Sequence, residues 1–136
     1  MSITNIGIVG SGAWGTALAT SLAANGREVI LWGRKSEIVD SINATHLNPL
    51  SLPGIVLAPS LKATRKLEDL RNTAMLMFAV PTQYLRGVCN LFADEIKKDT
   101  SLVVCSKGIE RETCRMPVDI VKDCLPNTQV SVLSGP

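Results

Sequence analysis

The chain has 136 residues, 46% of them hydrophobic and 19% charged, which is ordinary usage for one globular domain. This composition excludes an intrinsically disordered chain, and no apolar run reaches the roughly 18 residues of a membrane span. The 14 basic and 12 acidic residues leave a net charge of +2 without the basic cluster of a nucleic-acid surface. Because the first residues also lack a signal-peptide pattern, we expect a cytoplasmic domain without a nucleic-acid partner.

Predicted strands and helices alternate along the chain. In order, they are a strand over 6–9, a helix over 16–24 ended by Gly26, a strand over 28–32, a helix over 36–45, a loop over 46–60, a weak strand over 61–64, a strand over 75–80, a helix over 85–96, a strand over 102–105, a helix over 117–125 and a strand over 130–133. Strands that are apolar throughout are typical of parallel sheets covered on both faces. The pattern therefore predicts an α/β fold, a doubly wound and mostly parallel sheet forming one domain over 1–136.

The four cysteines, Cys89, Cys105, Cys114 and Cys124, lack the paired spacing of a zinc site. We expect them to be buried, reduced thiols. His46 is the only histidine, so a serine–histidine triad or a histidine metal cluster is hard to assemble.

A glycine-rich segment, 10–15, has the spacing G-x-G-x-x-G and stands between a predicted strand and a predicted helix. Gly10 permits a tight turn, Gly12 lets the backbone approach a pyrophosphate, and Gly15 lets the helix lie close on the sheet. The helix N-terminus would offer free amides to the phosphates. The segment predicts a Rossmann-type dinucleotide-binding domain, against the alternative of a glycine-rich turn without a ligand. Trp14 either covers a bound cofactor or substrate or packs against the neighbouring strand.

The end of the second strand is where NAD-binding domains carry an acid that holds the ribose 2′-hydroxyl. Here Gly33, Arg34 and Lys35 occupy that place, and the first carboxylate is Glu37. Arg34 can fork onto a 2′-phosphate and Lys35 adds a point charge, so we predict NADP(H) in preference to NAD(H). Two solvated charges, or a local pair between Arg34 and Glu37, are the alternatives.

Other strand ends are expected at the same edge of the sheet, where ligands of open α/β sheets bind. Pro81 is either an apolar wall for the nucleotide or a plain strand terminator. Lys107, after the next strand, could hold a phosphate or polarise a carbonyl. The segment 134–136, which contains Gly135, follows the last strand and is a turn on its pattern alone.

Several of these segments occur together, in order and at matching spacing, in one family. They are Gly10-Ser11-Gly12-Ala13-Trp14-Gly15-Thr16-Ala17-Leu18-Ala19, Leu31-Trp32-Gly33-Arg34, Ala79-Val80-Pro81, Ser106-Lys107-Gly108-Ile109-Glu110 and Ser134-Gly135-Pro136. From about residue 5 to its end, the chain resembles the N-terminal domain of bacterial-type NAD(P)-dependent glycerol-3-phosphate dehydrogenase. The decamer with its tryptophan and the Ser-Lys-Gly-Ile-Glu segment carry this resemblance most specifically.

The resemblance implies reduction of dihydroxyacetone phosphate to sn-glycerol 3-phosphate with NADPH or NADH, a step towards phospholipids. By position it implies cofactor contacts for Ala13, Trp14, Arg34 and Lys35. It further places Lys107 against cofactor and substrate, and Gly135 beside the glycerol phosphate. Two departures are Ala13, where the family often has serine, and Ser51, where it often has an aromatic residue.

The family enzyme has a second, helical domain that carries the general acid/base lysine and most of the substrate pocket. The resemblance therefore implies that this chain is the cofactor-binding part, with no catalytic residue of its own, and that it binds cofactor without turnover. A homodimer of the complete enzyme is one possibility that the sequence does not decide.

Other functions compete with this interpretation. A two-domain reductase of the 3-hydroxyacid or ketopantoate type shares the architecture, but the segments around Lys107 and Gly135 argue against it. A nucleotide-sensing module without catalysis would usually keep the ribose-binding acid that Arg34 replaces. A methyltransferase using S-adenosylmethionine has no pyrophosphate that would require three closely approaching glycines.

Overall fold

Six strands and four α-helices alternate through residues 4–134, the part of the chain described by this computed structural model. The elements are β1 (Asn5–Val9), α1 (Ala13–Ala24), β2 (Glu28–Trp32), α2 (Ser36–Thr45), β3 (Lys62–Thr64), a 3₁₀ turn (Leu67–Leu70), β4 (Met75–Phe78), α3 (Thr82–Phe92), β5 (Ser101–Val104), α4 (Pro117–Cys124) and β6 (Gln129–Val132). The strands form one parallel sheet in the order β3-β2-β1-β4-β5-β6. The predicted doubly wound parallel sheet is confirmed.

The sheet reverses its winding direction between β1 and β4. From β1 the chain moves outward to β2 and β3, and then returns past β1 to build β4, β5 and β6 on the other side. Loops leaving the carboxyl ends of β1 and β4 therefore diverge, and they leave a crevice between them. This topology alone places the glycine-rich segment opposite Pro81.

Apolar side chains cover both faces of the sheet. One cluster packs Ile8 and Leu31 against Ile42 of α2, and the other packs Phe78 against Phe92 of α3. Phe92 meets the ring of Phe78 edge-on, with 6.3 Å between the ring centroids. The inner strands are largely apolar because both of their faces are covered, as the sequence predicted. The edge strands β3 and β6 are exceptions, since Lys62 and Val132 are exposed.

Helix α1 differs from its prediction at its first turn and in its buried face. It begins at Ala13, three residues before the predicted start at 16, because the chain enters the helix directly from the glycine turn. Its fully buried face consists of the small residues Gly15, Thr16, Ala19 and Ala23. The larger side chains of the helix pack only partly against the sheet. Small residues let the helix lie close to the strands, which matters for the site.

The cysteine prediction is wrong for Cys114, whose side chain is exposed in the loop before α4. Cys89 and Cys105 are buried, and burial raises the pKa of their thiols to about 12 and about 11. Cys124 is half-buried. Within 4–134 no group of three or more metal-ligating side chains is present, and no helix has the length and apolarity to span a membrane.

Candidate functional site

A crevice runs along the carboxyl ends of β1, β2 and β4. Its first part, a cavity of about 450 Å³, is lined by Gly10, Gly12, Arg34, Lys35 and Pro81 among others. A second cavity of about 440 Å³ adjoins it and is lined by Gly12, Ala13, Trp14, Pro81 and Lys107 among others. The structure thus brings nine of the ten predicted site residues to one place, since Gly15 lies directly beneath the turn. Gly135 lies outside the described residues.

Backbone geometry at the turn after β1 requires two of its glycines. Gly10 has a φ of +117°, and a Cβ there would lie 2.9 Å from the carbonyl oxygen of Ala79 on the neighbouring loop. A Cβ on Gly15 would lie 1.9 Å from the carbonyl oxygen of Gly10, so any side chain would push α1 away from the sheet. The roles predicted for these glycines in the turn and in helix packing agree with this geometry.

Gly12 plays a different part, because an added Cβ would meet no protein atom within 4 Å. Its φ of −72° suits any residue. Gly12 is the N-cap of α1 without a capping side chain, and the first turn of the helix carries no acidic residue. The first-turn amides and the positive end of the helix dipole therefore remain available to an anion in the crevice.

A basic rim closes the side of the crevice at the end of β2. Arg34 and Lys35 are exposed there, and Lys35 is the N-cap of α2. None of the ion pairs within 4–134 joins Arg34 to Glu37, so the local pair considered from the sequence does not form. Arg65 supplies a third cation, and its Nε donates a hydrogen bond of 3.1 Å to the carbonyl oxygen of Arg34.

The sequence did not single out Arg65, because it follows β3, the weakest of the predicted strands. Only the pairing of β3 with β2 brings it beside Arg34. The sequence analysis also missed Tyr84, which is 61% exposed and lines the first cavity. No local pattern in the sequence marks this tyrosine, because its exposure is seen only in the structure. Ser51, which departs from the family pattern, lines the same cavity.

Trp14 lies on the crevice side of α1. The residue is 48% exposed and lines the second cavity together with Pro81 and Lys107. The sequence left open whether Trp14 faces a bound ligand or packs against the neighbouring strand. The structure has Trp14 exposed at the crevice. Pro81 is the N-cap of α3 and lines both cavities, whereas β4 already ends at Phe78, so Pro81 forms a crevice wall and is not the strand terminator.

The loop that carries Lys107 is held by the segment that follows β4 and by the first residue of α3. The Ser106 hydroxyl donates to the Val80 carbonyl oxygen at 2.6 Å, and the Thr82 hydroxyl donates to the Lys107 carbonyl oxygen at 2.5 Å. Further along, the Arg86 guanidinium forks onto the buried Glu110 carboxylate at 2.9–3.2 Å. The hydroxyl contacts fix the main chain at Lys107 on the rim of the second cavity, and the ion pair anchors the same loop at Glu110.

A parallel sheet in this order, with a glycine turn, an uncapped helix N-terminus and a basic rim at its switch point, defines the dinucleotide-binding domain of a dehydrogenase. Residues 5–136 match the family described as NAD-dependent glycerol-3-phosphate dehydrogenase N-terminus. The chain belongs to this family, as its N-terminal, NAD-binding domain. The resemblance stated from the sequence is confirmed.

Named relatives give the same result. The chain is 42% identical over 131 residues to glycerol-3-phosphate dehydrogenase [NAD(P)+] of Erythrobacter litoralis, covering 96% of this chain and 39% of the relative. It is 47% identical over 135 residues to glycerol-3-phosphate dehydrogenase [NAD(P)+] 1 of Sphingopyxis alaskensis, covering 99% and 40%. The chain therefore spans about two fifths of the length of these relatives.

Solved structures agree on the fold. Glycerol-3-phosphate dehydrogenase from Coxiella burnetii superposes with a TM-score of 0.90 at 31% identity, over 98% of this chain and 41% of that one. A ketopantoate reductase from Ralstonia eutropha reaches 0.78 at 20% identity, over 95% and 40%. At 20% identity, the similarity to ketopantoate reductase shows a shared fold only. It does not support the ketopantoate alternative as a function of this chain.

Substitution by alanine at two of the glycines should separate folding from binding. Gly15→Ala should lower the free energy of unfolding by about 2 kcal/mol or more, since its Cβ collides with backbone. Gly12→Ala should change it by less than about 1 kcal/mol but weaken nucleotide binding at least about tenfold, because only a ligand would meet the new methyl group. Denaturant unfolding and NADPH fluorescence titration measure the two effects. Unchanged NADPH affinity in folded Gly12→Ala would contradict this assignment.

Protonation of Glu110 should destabilise the fold in acid. Hydrogen bonds from Arg86 and then Thr113 lower the pKa of this carboxyl below its ordinary value of 4.5. Its contribution is therefore present above about pH 4.5 and lost as pH falls through the lower folded pKa. Glu110→Gln should lower stability at pH 7, and the difference from wild type should shrink towards pH 3 in urea unfolding. Asp123, whose pKa is also lowered, keeps its own acid dependence in both proteins. A difference independent of pH would contradict the prediction.

Proposed function

We propose that this domain binds NADPH in preference to NADH, as the cofactor half of an enzyme that reduces dihydroxyacetone phosphate to sn-glycerol 3-phosphate. The observation that carries the preference is the end of β2, where Arg34, Lys35 and Arg65 gather and no carboxylate stands at the ribose position. A carboxylate would repel a 2′-phosphate, whereas guanidinium groups bind it. The names of the relatives, which read NAD(P)+, support use of either nucleotide.

The crevice fits a dinucleotide on its own geometry. The open face of Gly12 and the uncapped first turn of α1 suit a pyrophosphate, which would neutralise amides that no side chain caps. The basic rim would hold the adenosine phosphate at one end. Pro81, Trp14 and Lys107 would then surround the other half of the cofactor in the second cavity. When bound, NADPH supplies hydride to the ketone carbon of the substrate.

Lys107 is the proposed link between cofactor and substrate. Its main chain is fixed by Thr82 at the rim of the second cavity, and its ammonium carries a charge that a substrate phosphate or a polarised carbonyl would attract. Gly135 would lie beside the glycerol phosphate. We place the proton-donating lysine and the rest of the substrate pocket in a helical domain outside this chain. The proposal includes a cytoplasmic enzyme, a homodimeric assembly of its complete form and a product destined for glycerophospholipids.

The cofactor preference should depend on Arg34. Arg34→Ala should weaken NADPH binding by about 10- to 100-fold and leave NADH binding nearly unchanged, because only NADPH carries the 2′-phosphate. Fluorescence titration of both nucleotides measures the ratio of the two Kd values. Lys66→Ala is the matched control, since it removes an exposed positive charge beside the rim from a side chain that does not line the first cavity. An unchanged ratio in Arg34→Ala, or equal losses in both variants, would refute the preference.

Hydride transfer should not occur on this chain alone. With NADPH and dihydroxyacetone phosphate, the 136-residue chain should show no absorbance loss at the reduced nicotinamide band, although it binds the nucleotide. The physical reason is that the proposed proton donor and most of the substrate pocket belong to another domain. Measurable oxidation of NADPH that requires the substrate would place a complete catalytic site in this chain.

A further inference from the structure

Asn48 is a fully buried polar residue in the loop between α2 and β3, with 0% of its surface exposed. Its Nδ2 donates to the carbonyl oxygen of Ser11 at 3.0 Å and to the hydroxyl of Thr16 at 2.9 Å. Its Oδ1 accepts a hydrogen bond of 3.3 Å from the amide of Ser51. One side chain therefore ties the glycine turn, the first turn of α1 and a loop residue of the first cavity together.

The bonds to Ser11 fix the direction of a particular peptide group. The Ser11 carbonyl oxygen also accepts from the Thr16 hydroxyl at 3.2 Å, so two donors hold it on the protein side. In a trans peptide the carbonyl and the following N–H point in opposite directions. Holding the Ser11 oxygen inward therefore turns the Gly12 N–H outward. Gly12 lines both cavities, so this is the side on which an anion would bind.

Filling space in the core would not by itself require an amide side chain at this position. A buried amide is unfavourable unless its hydrogen bonds are made, and an apolar side chain of similar volume could fill the same space. The two groups that Asn48 Nδ2 contacts belong to the turn and helix end that face the crevice. Its amide thus stabilises one orientation of the turn before any ligand arrives, and preorganisation of this kind raises affinity by reducing the ordering cost of binding.

We propose that Asn48 is a positioning residue for the dinucleotide pyrophosphate, acting through the orientation of the Ser11–Gly12 peptide. This inference rests on the proposed function, because it concerns the same crevice. It also predicts an effect on binding that differs from the effect predicted for Arg34. The pyrophosphate is common to NADPH and NADH, so loss of Asn48 should weaken both nucleotides equally, whereas loss of Arg34 should change their ratio.

The test compares two asparagines of the same chain. Asn43 bonds the main chain of Ala63 through both of its side-chain atoms, each at 2.9 Å, and thereby joins α2 to β3 away from the glycine turn. Asn48→Ala should raise the Kd for NADPH and for NADH by about tenfold, with their ratio unchanged. Asn43→Ala should leave both Kd values within about twofold of wild type, although it also loses two hydrogen bonds. Fluorescence titration gives the affinities, and thermal unfolding shows that each variant is folded.

If Asn48→Ala does not fold, two substitutions of Thr16 test the same proposal with a smaller change to the core. Thr16→Val keeps the volume but removes the second donor to the Ser11 oxygen, and it should weaken both nucleotides by about threefold to tenfold. Thr16→Ser keeps the hydroxyl and should restore wild-type affinity. Failure of serine to restore binding would contradict the orientation argument.

The possible results separate the inference from the proposed function. Wild-type protein that bound neither nucleotide would overturn the proposed function and this inference with it. Wild-type binding together with equal affinities in Asn48→Ala and Asn43→Ala would overturn the inference alone. A change in the NADPH/NADH ratio in Asn48→Ala, instead of an equal loss, would overturn it as well, because Asn48 would then act on the adenosine phosphate.

Discussion

Close packing of the α1 N-terminus on the end of β1 is the contact on which the crevice depends. Gly15 lies so near the Gly10 carbonyl oxygen that a single methyl group would separate helix and strand. The small buried face of α1 continues this close approach along the helix. As a result the helix axis, with its positive end and its uncapped amides, ends in the crevice at the switch point of the sheet.

Electrostatics then gives the crevice two unlike halves. At the β2 end, Arg34 and Lys35 line the first cavity, and Arg65 donates a hydrogen bond to the Arg34 carbonyl oxygen. At the β4 and β5 ends, the exposed ring of Trp14 and the wall at Pro81 give an apolar surface with one ammonium, that of Lys107. A dinucleotide has the same division, with phosphate charge towards its adenosine end and a flat, reactive ring at the other. The order of the strands in the sheet thus decides which end of the crevice is basic and which is apolar.

Most strands could be predicted from the sequence, because apolar runs between turn residues are buried on both faces of a parallel sheet. The β2 and α2 boundaries match the prediction, whereas α1 starts early since a glycine turn can enter a helix without a capping side chain. Site residues within a motif could be predicted as well. Arg65, Tyr84 and Asn48 could not, because no local pattern shows that Arg65 bonds the main chain of Arg34, that Tyr84 lines the first cavity, or that Asn48 bonds the glycine turn.

The central claim is that main-chain amides after β1 receive the pyrophosphate of a nicotinamide nucleotide. Titration of ¹⁵N-labelled protein with NADPH, followed by amide chemical shifts, tests it most directly. We predict the largest shifts at the amides of Gly12, Ala13 and Trp14, with smaller ones at Arg34 and Lys35. Saturable binding that shifted amides elsewhere and left those of the glycine turn unmoved would contradict the account.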